Sequence, residues 1–177
     1  MIGVLVSGNG TNLQALIDAS LPLAAVASNN PGAPALARAE AAGLPTAAFE
    51  LDGYPDRPRR DEAMADWLQS HGADLVVCAG YMHLLTQSFL TRFRDRIVNV
   101  HPSLLPAFPG ARALAEAVEA GVETTGVTVH VVDEGLDTGP ILRQEPVAVE
   151  PRDTLEERIH AVEHRILPEV VRELCAR

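Results

Sequence analysis

Asn99 and His101 stand two residues apart in Asn99-Val100-His101-Pro102-Ser103-Leu104-Leu105-Pro106, directly after a run that reads as a buried strand, Ile97 to Val100. Residues two apart on a strand project from the same face. The carboxyl end of a strand is where open α/β sheets place their chemistry. Pro102 and Pro106 stop the strand and stiffen the loop, which suits side chains held in fixed geometry. An amide donor beside an imidazole can stabilise an oxyanion during transfer at a carbonyl carbon. On this spacing alone, an ordinary polar loop is the stronger reading.

A second candidate opens the chain. The apolar run Ile2 to Val6 leads into Ser7-Gly8-Asn9-Gly10-Thr11-Asn12 and then the helical pattern Leu13, Leu16, Ile17. A strand, a glycine turn and a helix amino-terminus offer backbone N–H groups to an anion. The dinucleotide fingerprint is absent, because Leu13 stands where its third glycine belongs. Thr11 with Gln14 has the spacing of a capping box. Phosphate binding and a plain tight turn stand level here.

The third candidate is Asp137, in the acidic loop Asp133-Glu134-Gly135-Leu136-Asp137-Thr138-Gly139-Pro140. If the sheet is parallel at these strand ends, the loops 80–85, 99–109 and 133–140 gather at one edge and Asp137 faces His101. A carboxylate beside an imidazole favours the charged ring. No covalent nucleophile fits a known pattern: Ser103 lacks the glycine-flanked elbow, and Cys78 lies in an apolar run. His101, His130 and Asp137 form a rival metal set, ranked low because the chain contains no HExxH sequence.

The whole chain limits what these residues can do. Its 177 residues suit one domain with a sizeable core, and 47% hydrophobic content argues for a packed globule. A formal net charge of -10 disfavours general nucleic-acid or anionic-membrane binding. All 14 basic residues are Arg, which excludes a lysine Schiff base and a P-loop lysine. The opening residues show no basic stretch followed by an apolar segment, so no signal segment is expected; no apolar run approaches a membrane span, and Cys78 reads as a buried reduced thiol. A cytoplasmic setting follows as the expectation.

Strands at Leu23 to Ser28, Leu44 to Phe49, Asp74 to Ala79 and Ile97 to Val100 alternate with helices at Ala35 to Ala42, Asp61 to His71 and Gly110 to Ala120. This is the βαβ signature of a parallel sheet. Asp52 to Arg60 reads as a polar loop whose Arg57, Arg59 and Arg60 are solvated, one of them available to an acidic ligand. Thr86 or Ser88 can cap a short helix carrying Phe89, Leu90 and Phe93. Thr124 to Val132 and Ile141 to Val149 have no helix between them and should pair antiparallel. Asp153 to Cys175 steps apolar residues at three or four, with caps at Asp153 or Thr154 and a kink or break at Pro168. The expected fold is α/β: a Rossmann-like, mostly parallel twisted sheet with helices on both faces, ending in antiparallel strands and a C-terminal helix.

Taken together, several segments resemble the phosphoribosylglycinamide formyltransferases, folate-dependent enzymes of purine synthesis. They are Ser7 to Asn12, Ala79-Gly-Tyr-Met82, Asn99 to Pro106, Pro109-Gly110, Gly126-Val-Thr-Val-His130, Asp133 to Pro140, and Glu163-His164. The resemblance implies attack by the amine of glycinamide ribonucleotide on the formyl carbon of 10-formyltetrahydrofolate, with no metal. It implies Asn99, His101 and Asp137 as catalytic residues. Gly10, Thr11, Asn12 and Glu163 would hold the ribonucleotide. Arg57, Met82, His83, Leu84, Leu85, Asn99, Asp133 and Asp137 would hold the folate, with Arg60 an alternative to Arg57. One formyltransferase domain over 1–177 is implied, with a nucleotide-phosphate half over 1–98 and a catalytic, folate-binding half over 99–177. A cis bond is implied at Leu105-Pro106, and a monomer or homodimer is expected.

The chain departs from the pattern at His83, where relatives usually carry Arg, and at Ala111 to Ala113, where many carry histidines. Sister formyl enzymes are the alternatives. The tRNA enzyme should carry a further C-terminal domain and a basic face, and the formyltetrahydrofolate hydrolase an N-terminal regulatory domain. An amino-sugar formyltransferase remains open. A non-catalytic nucleotide-binding module would leave Asn99, His101 and Asp137 unexplained.

Overall fold

Apolar runs too short for helices and free of alternation become strands buried on both faces. In the computed structural model, which describes residues 1–176, β1 (Ile2–Val6), β2 (Leu23–Ser28) and β4 (Leu75–Cys78) are buried at every position. The chain divides into two compact units, Met1–Val98 and Asn99 onward.

The first unit holds these strands, β3 (Thr46–Ala48), and the helices α1 (Thr11–Asp18), α2 (Pro34–Ala41), α3 (Arg57–Ser70) and α4 (Gln87–Leu90). β1 runs parallel to both β2 and β4, and β3 adds parallel to β2. Leu13 and Leu16 of α1, Met64 and Leu68 of α3 and Phe89 of α4 are wholly buried. Each such side chain contributes about 1.5–3 kcal/mol of burial. Cys78 is a buried free thiol whose pKa burial pushes up to about 12.

The chain enters the second unit along β5 (Ile97–His101), followed by α5 (Ala113–Glu119), β6 (Thr124–Val131), β7 (Ile141–Ala148) and α6 (Leu155–Cys175). β6 and β7 pair antiparallel from Thr124 opposite Ala148 to His130 opposite Ile141. α6 buries Leu155, Ile159, Ile166 and Val170 and ties its outer face to β7 through ion pairs. Arg143 reaches Glu169 at 2.8 Å and Glu173 at 2.6 Å, and Arg165 reaches Glu145. The seven strands make one mixed sheet, mostly parallel, with β6 and β7 as its antiparallel end, as expected from the pattern. Leu105-Pro106 is cis, as the resemblance implies, and so is Glu150-Pro151.

Several local expectations are corrected. α3 begins at Arg57, not Asp61, because Asp56 caps it by accepting from the Arg59 N–H at 2.9 Å and Pro58 sits in the first turn. Thr11 forms no capping box: Gly10 takes the cap position in a left-handed conformation (φ 74°), and Thr11 is already helical. β3 is three residues long, and α5 starts only at Ala113. Neither Asp153 nor Thr154 caps α6; a turn of 3₁₀-helix over Arg152–Thr154 leads into it. α6 is one continuous helix with Pro168 buried inside it. Thr86 precedes α4 but spends its hydroxyl on Asp61.

Candidate active site

Two loops of the second unit meet around one carboxylate. His101, the last residue of β5, is 5% exposed, and its Nδ1 lies 3.4 Å from Asp137 Oδ2. Asp137 Oδ2 also accepts the Gly110 N–H at 2.8 Å. On the far side of the ring, His101 Nε2 donates to the Phe108 carbonyl at 2.8 Å. Both ring nitrogens thus face oxygen acceptors, and a ring with one proton can serve only one of them. Asp137 (φ 55°) and Phe108 (φ 53°) both hold left-handed backbone without being glycine. Strain of that kind, of order 1 kcal/mol or more per residue, persists where the surroundings over-determine it.

His130 joins this cluster, and it was not among the residues assigned a role by the resemblance. Its Nε2 lies 3.2 Å from Asn99 Nδ2 and 3.5 Å from Asp137 Oδ1, while its Nδ1 donates to the Val131 carbonyl at 2.9 Å. A neutral ring therefore accepts from Asn99 at Nε2, and a doubly protonated ring donates there to Asp137. Either way it ties Asn99 and Asp137 into one network. The Asp137 carboxyl is held below its ordinary value, first by hydrogen bonding from His130. The Gly110 N–H and the nearby rings of His101 and His130 reinforce this, and burial opposes it. In the sequence His130 stood out only beside His101 and Asp137 as a metal-type set; its tie to Asn99 was hidden, since the two lie 31 residues apart. Among the described residues no three His, Cys, Asp or Glu side chains are arranged to hold a metal ion. Of the remaining candidates in this unit, Glu163 is buried in α6, and Asp133 folds its own loop by accepting from the Gly135 N–H and the Thr138 hydroxyl.

The first unit positions the other candidates. Gly10 is buried, and a Cβ there would stand 2.5 Å from Ala35 Cβ and 2.8 Å from Ala35 Cα. This close approach pins the turn against α2, as does the bond from the Ala35 N–H to the Gly8 carbonyl. Thr11 and Asn12 open α1 with no side-chain cap, so the helix start presents backbone N–H groups and positive partial charge. Arg38 of α2 bonds the Asn9 carbonyl through Nε at 2.7 Å and puts a cation beside the turn. The alanine-rich pattern of α2 gave no sign of that.

Further along this unit, Met82 is 68% and Leu84 57% exposed, while His83 and Leu85 are half-buried. Arg57 steadies this loop by donating to the Leu84 carbonyl at 2.6 Å. Arg60, expected in solvent or at a ligand, is wholly buried. Its guanidinium pairs with equally buried Asp61 at 2.6 Å and meets His83 Nδ1 at 2.9 Å.

The family described as formyl transferase matches residues 1–171. The phosphoribosylglycinamide formyltransferase of Bacillus subtilis is 41% identical over 182 residues, covering 97% of this chain and 92% of its own length. This chain belongs to the phosphoribosylglycinamide formyltransferase family. The corresponding protein of Haemophilus influenzae is 43% identical, with 97% and 85% covered. The crystal structure of glycinamide ribonucleotide transformylase 1 from Symbiobacterium toebii superposes with a TM-score of 0.93 at 48% identity, covering 97% of this chain and 85% of that one. The formyltransferase is accordingly an enzyme of purine biosynthesis. No helix among its described residues is long and apolar enough to cross a membrane.

Proposed function

We propose that this formyltransferase moves the formyl group of 10-formyltetrahydrofolate onto the amine of glycinamide ribonucleotide. The observation that carries the reading is the cluster in which Asp137 sits 3.4 Å from His101 and 3.5 Å from His130, with Asn99 bound to the latter ring. In the step proposed, the amine attacks the formyl carbon and its carbonyl oxygen gains the negative charge. The Asn99 amide and the protonated His101 ring donate to that oxyanion. The C–N bond to the folate then breaks, the folate nitrogen takes a proton, and the attacking nitrogen loses one. Asp137 stabilises the charged ring. For His101 Nε2 to serve the oxyanion, its bond to the Phe108 carbonyl has to give way.

Gly10, Thr11 and Asn12 would take the ribonucleotide phosphate at the start of α1, assisted by the Arg38 cation, and Glu163 its glycinamide or ribose end. Arg57, Met82, His83, Leu84 and Leu85, with Asn99, Asp133 and Asp137, would take the folate. The exposed apolar side chains of Met82 and Leu84 support this, being surface that a flat heterocycle would cover. Residues 1–98 would then be the phosphate-binding half and 99–177 the catalytic half. The enzyme would act in the cytoplasm on small molecules alone, as a monomer or homodimer.

The test is an assay of formyl transfer from 10-formyltetrahydrofolate to glycinamide ribonucleotide, with amino sugars as competing acceptors. Formylation of the ribonucleotide, undiminished by amino sugars, is expected. Transfer to the amino sugar instead, or hydrolysis of the donor without transfer, would overturn the reading.

A further inference from the structure

Arg60 and Asp61 are wholly buried neighbours in the first turn of α3. Arg60 gives Nε and Nη2 to Asp61 Oδ1 at 2.9 and 2.6 Å, and Asp61 Oδ2 accepts the Thr86 N–H and hydroxyl at 2.8 Å each. The remaining guanidinium nitrogen, Nη1, is 2.9 Å from His83 Nδ1. A guanidinium has donors and no acceptors, so Nδ1 must accept and the ring's single proton sits on Nε2.

That tautomer orders everything beyond it. In the structure Asn29 turns its Nδ2 to Nε2 at 3.3 Å and its Oδ1 accepts the Ser7 hydroxyl at 2.5 Å; a proton on Nε2 requires that amide turned over, with its oxygen to the ring. With the amide turned over, the Asn29 NH₂ would donate to Ser7 Oγ, which also accepts the Met82 N–H at 2.9 Å. In that orientation donation runs one way, from Arg60 through His83 and Asn29 to Ser7. It starts from a buried ion pair and ends at the residue that opens the turn leading to Gly10. Met82 closes the circuit back to the loop carrying His83.

We propose that His83 is a positioning residue, held as a neutral Nε2–H ring, through which the 82–85 loop and the Ser7–Asn12 turn are energetically coupled, so that occupancy of one raises affinity at the other. The coupling rests on the assignment of the folate and the ribonucleotide phosphate to those two segments. The charge rule does not: the pocket accepts one cation, and Arg60 is that cation. Other charged groups facing His83 act in the same sense or weakly against it. Burial, Arg60 and Arg57 hold its pKa below the ordinary imidazole value, Asp61 opposes them, and the Tyr81 ring lies edge-on at 5.9 Å.

The first experiment needs no ligand. Nitrogen chemical shifts of the His83 ring, measured across pH in the intact enzyme, should show the Nε2–H form persisting well below about pH 6.5. An Nδ1–H ring, or ordinary titration, overturns the proposal.

The second measures ribonucleotide affinity by calorimetry with and without a saturating, non-reactive folate analogue. Wild type should gain about fivefold or more in affinity, the lower end of ordinary coupling. H83A should lose that gain. H83Q should keep it, because its amide oxygen can accept from Arg60 and its NH₂ can donate to Asn29. H83R, which sets a second guanidinium against Arg60, should lose both coupling and thermal stability, and R60Q/H83R should recover part of both. If both ligands bind wild type without coupling, or H83A couples as wild type does, this inference fails and the functional reading stands. If neither ligand binds, both fail. H83R indistinguishable from H83Q refutes the one-cation rule even where every variant folds.

Discussion

Replacing Gly10 by Ala asks two things of the fold, and each has a separate cost. The residue sits at φ 74°, where a Cβ costs about 1–2 kcal/mol in contact with its own backbone. The new methyl would also lie 2.5 Å from Ala35 Cβ and 2.8 Å from Ala35 Cα. Because the second neighbour is helix backbone, no side-chain rotation relieves the contact, and overpacking of this kind costs about 1–3 kcal/mol. The sum, roughly 2–5 kcal/mol, corresponds to a fall in Tm of about 4–20 °C for a chain of this size. Gly43 provides the control. It shares φ 74°, but a methyl there would meet nothing within 4 Å, so Gly43→Ala should lose only the backbone cost, about 1–2 kcal/mol. Thermal and urea unfolding of the two variants side by side isolate the contact with α2. If Gly10→Ala loses no more stability than Gly43→Ala, the close packing of the turn on α2 does not constrain it as argued. Gly10→Ala should also weaken ribonucleotide binding, but that loss is interpretable only after the stability loss is known.

His101→Ala should lower kcat by about 10²–10⁴ with both ligands still bound in calorimetry, and a fall of less than about tenfold refutes its place in the reaction. Asp61→Ala strands the buried Arg60 cation and should cost about 3–5 kcal/mol in urea unfolding, whereas a loss under about 1 kcal/mol would mean that Arg60 finds water. The lowered Asp137 pKa has a sign that unfolding can check. Its stabilisation is full above the unfolded carboxyl value and is lost as pH falls through the lower folded value. Wild type should therefore lose more stability than Asp137→Asn on acidification below about pH 4, and parallel curves contradict the assignment. His130→Ala should reduce kcat more than it raises KM, since it frees the Asn99 amide without removing a ligand contact; a pure KM effect argues against that positioning.

The parallel strands were legible because uninterrupted apolar runs such as Ile2–Val6 and Leu75–Cys78 have few other uses. The inward face of α6 was legible from its stepping of three and four. What escaped depended on contacts that no local pattern encodes. Arg57, Arg59 and Arg60 look alike as a polar string, yet only Arg60 is enclosed. Its partner is the next residue in sequence, a spacing that helical-face patterns do not flag. The cue to the start of α3, Asp56 with Pro58 two residues on, was present and outweighed by the density of charge. The Thr11 to Gln14 spacing misled because a capping box needs its first residue outside the helix, and Gly10 had already taken that place. His130 shows the general limit: alternation puts it on the strand face opposite Val127, Val129 and Val131, yet it is buried, and Asn99 and Asp137 come to it from opposite sides along the chain.

The last strand has a bearing on handling as well as on shape. β7 is the final strand of the sheet, and an unpaired margin of that kind invites strands from other molecules to add on. Pro146, set opposite Gly126 in the ladder, withholds a donor from any such addition. Arg143 and Glu145 are tethered to α6 by ion pairs, which crowd the approach with charge. The enzyme should therefore stay dispersed at high concentration, and replacing Pro146 with Val should make it prone to form fibrils.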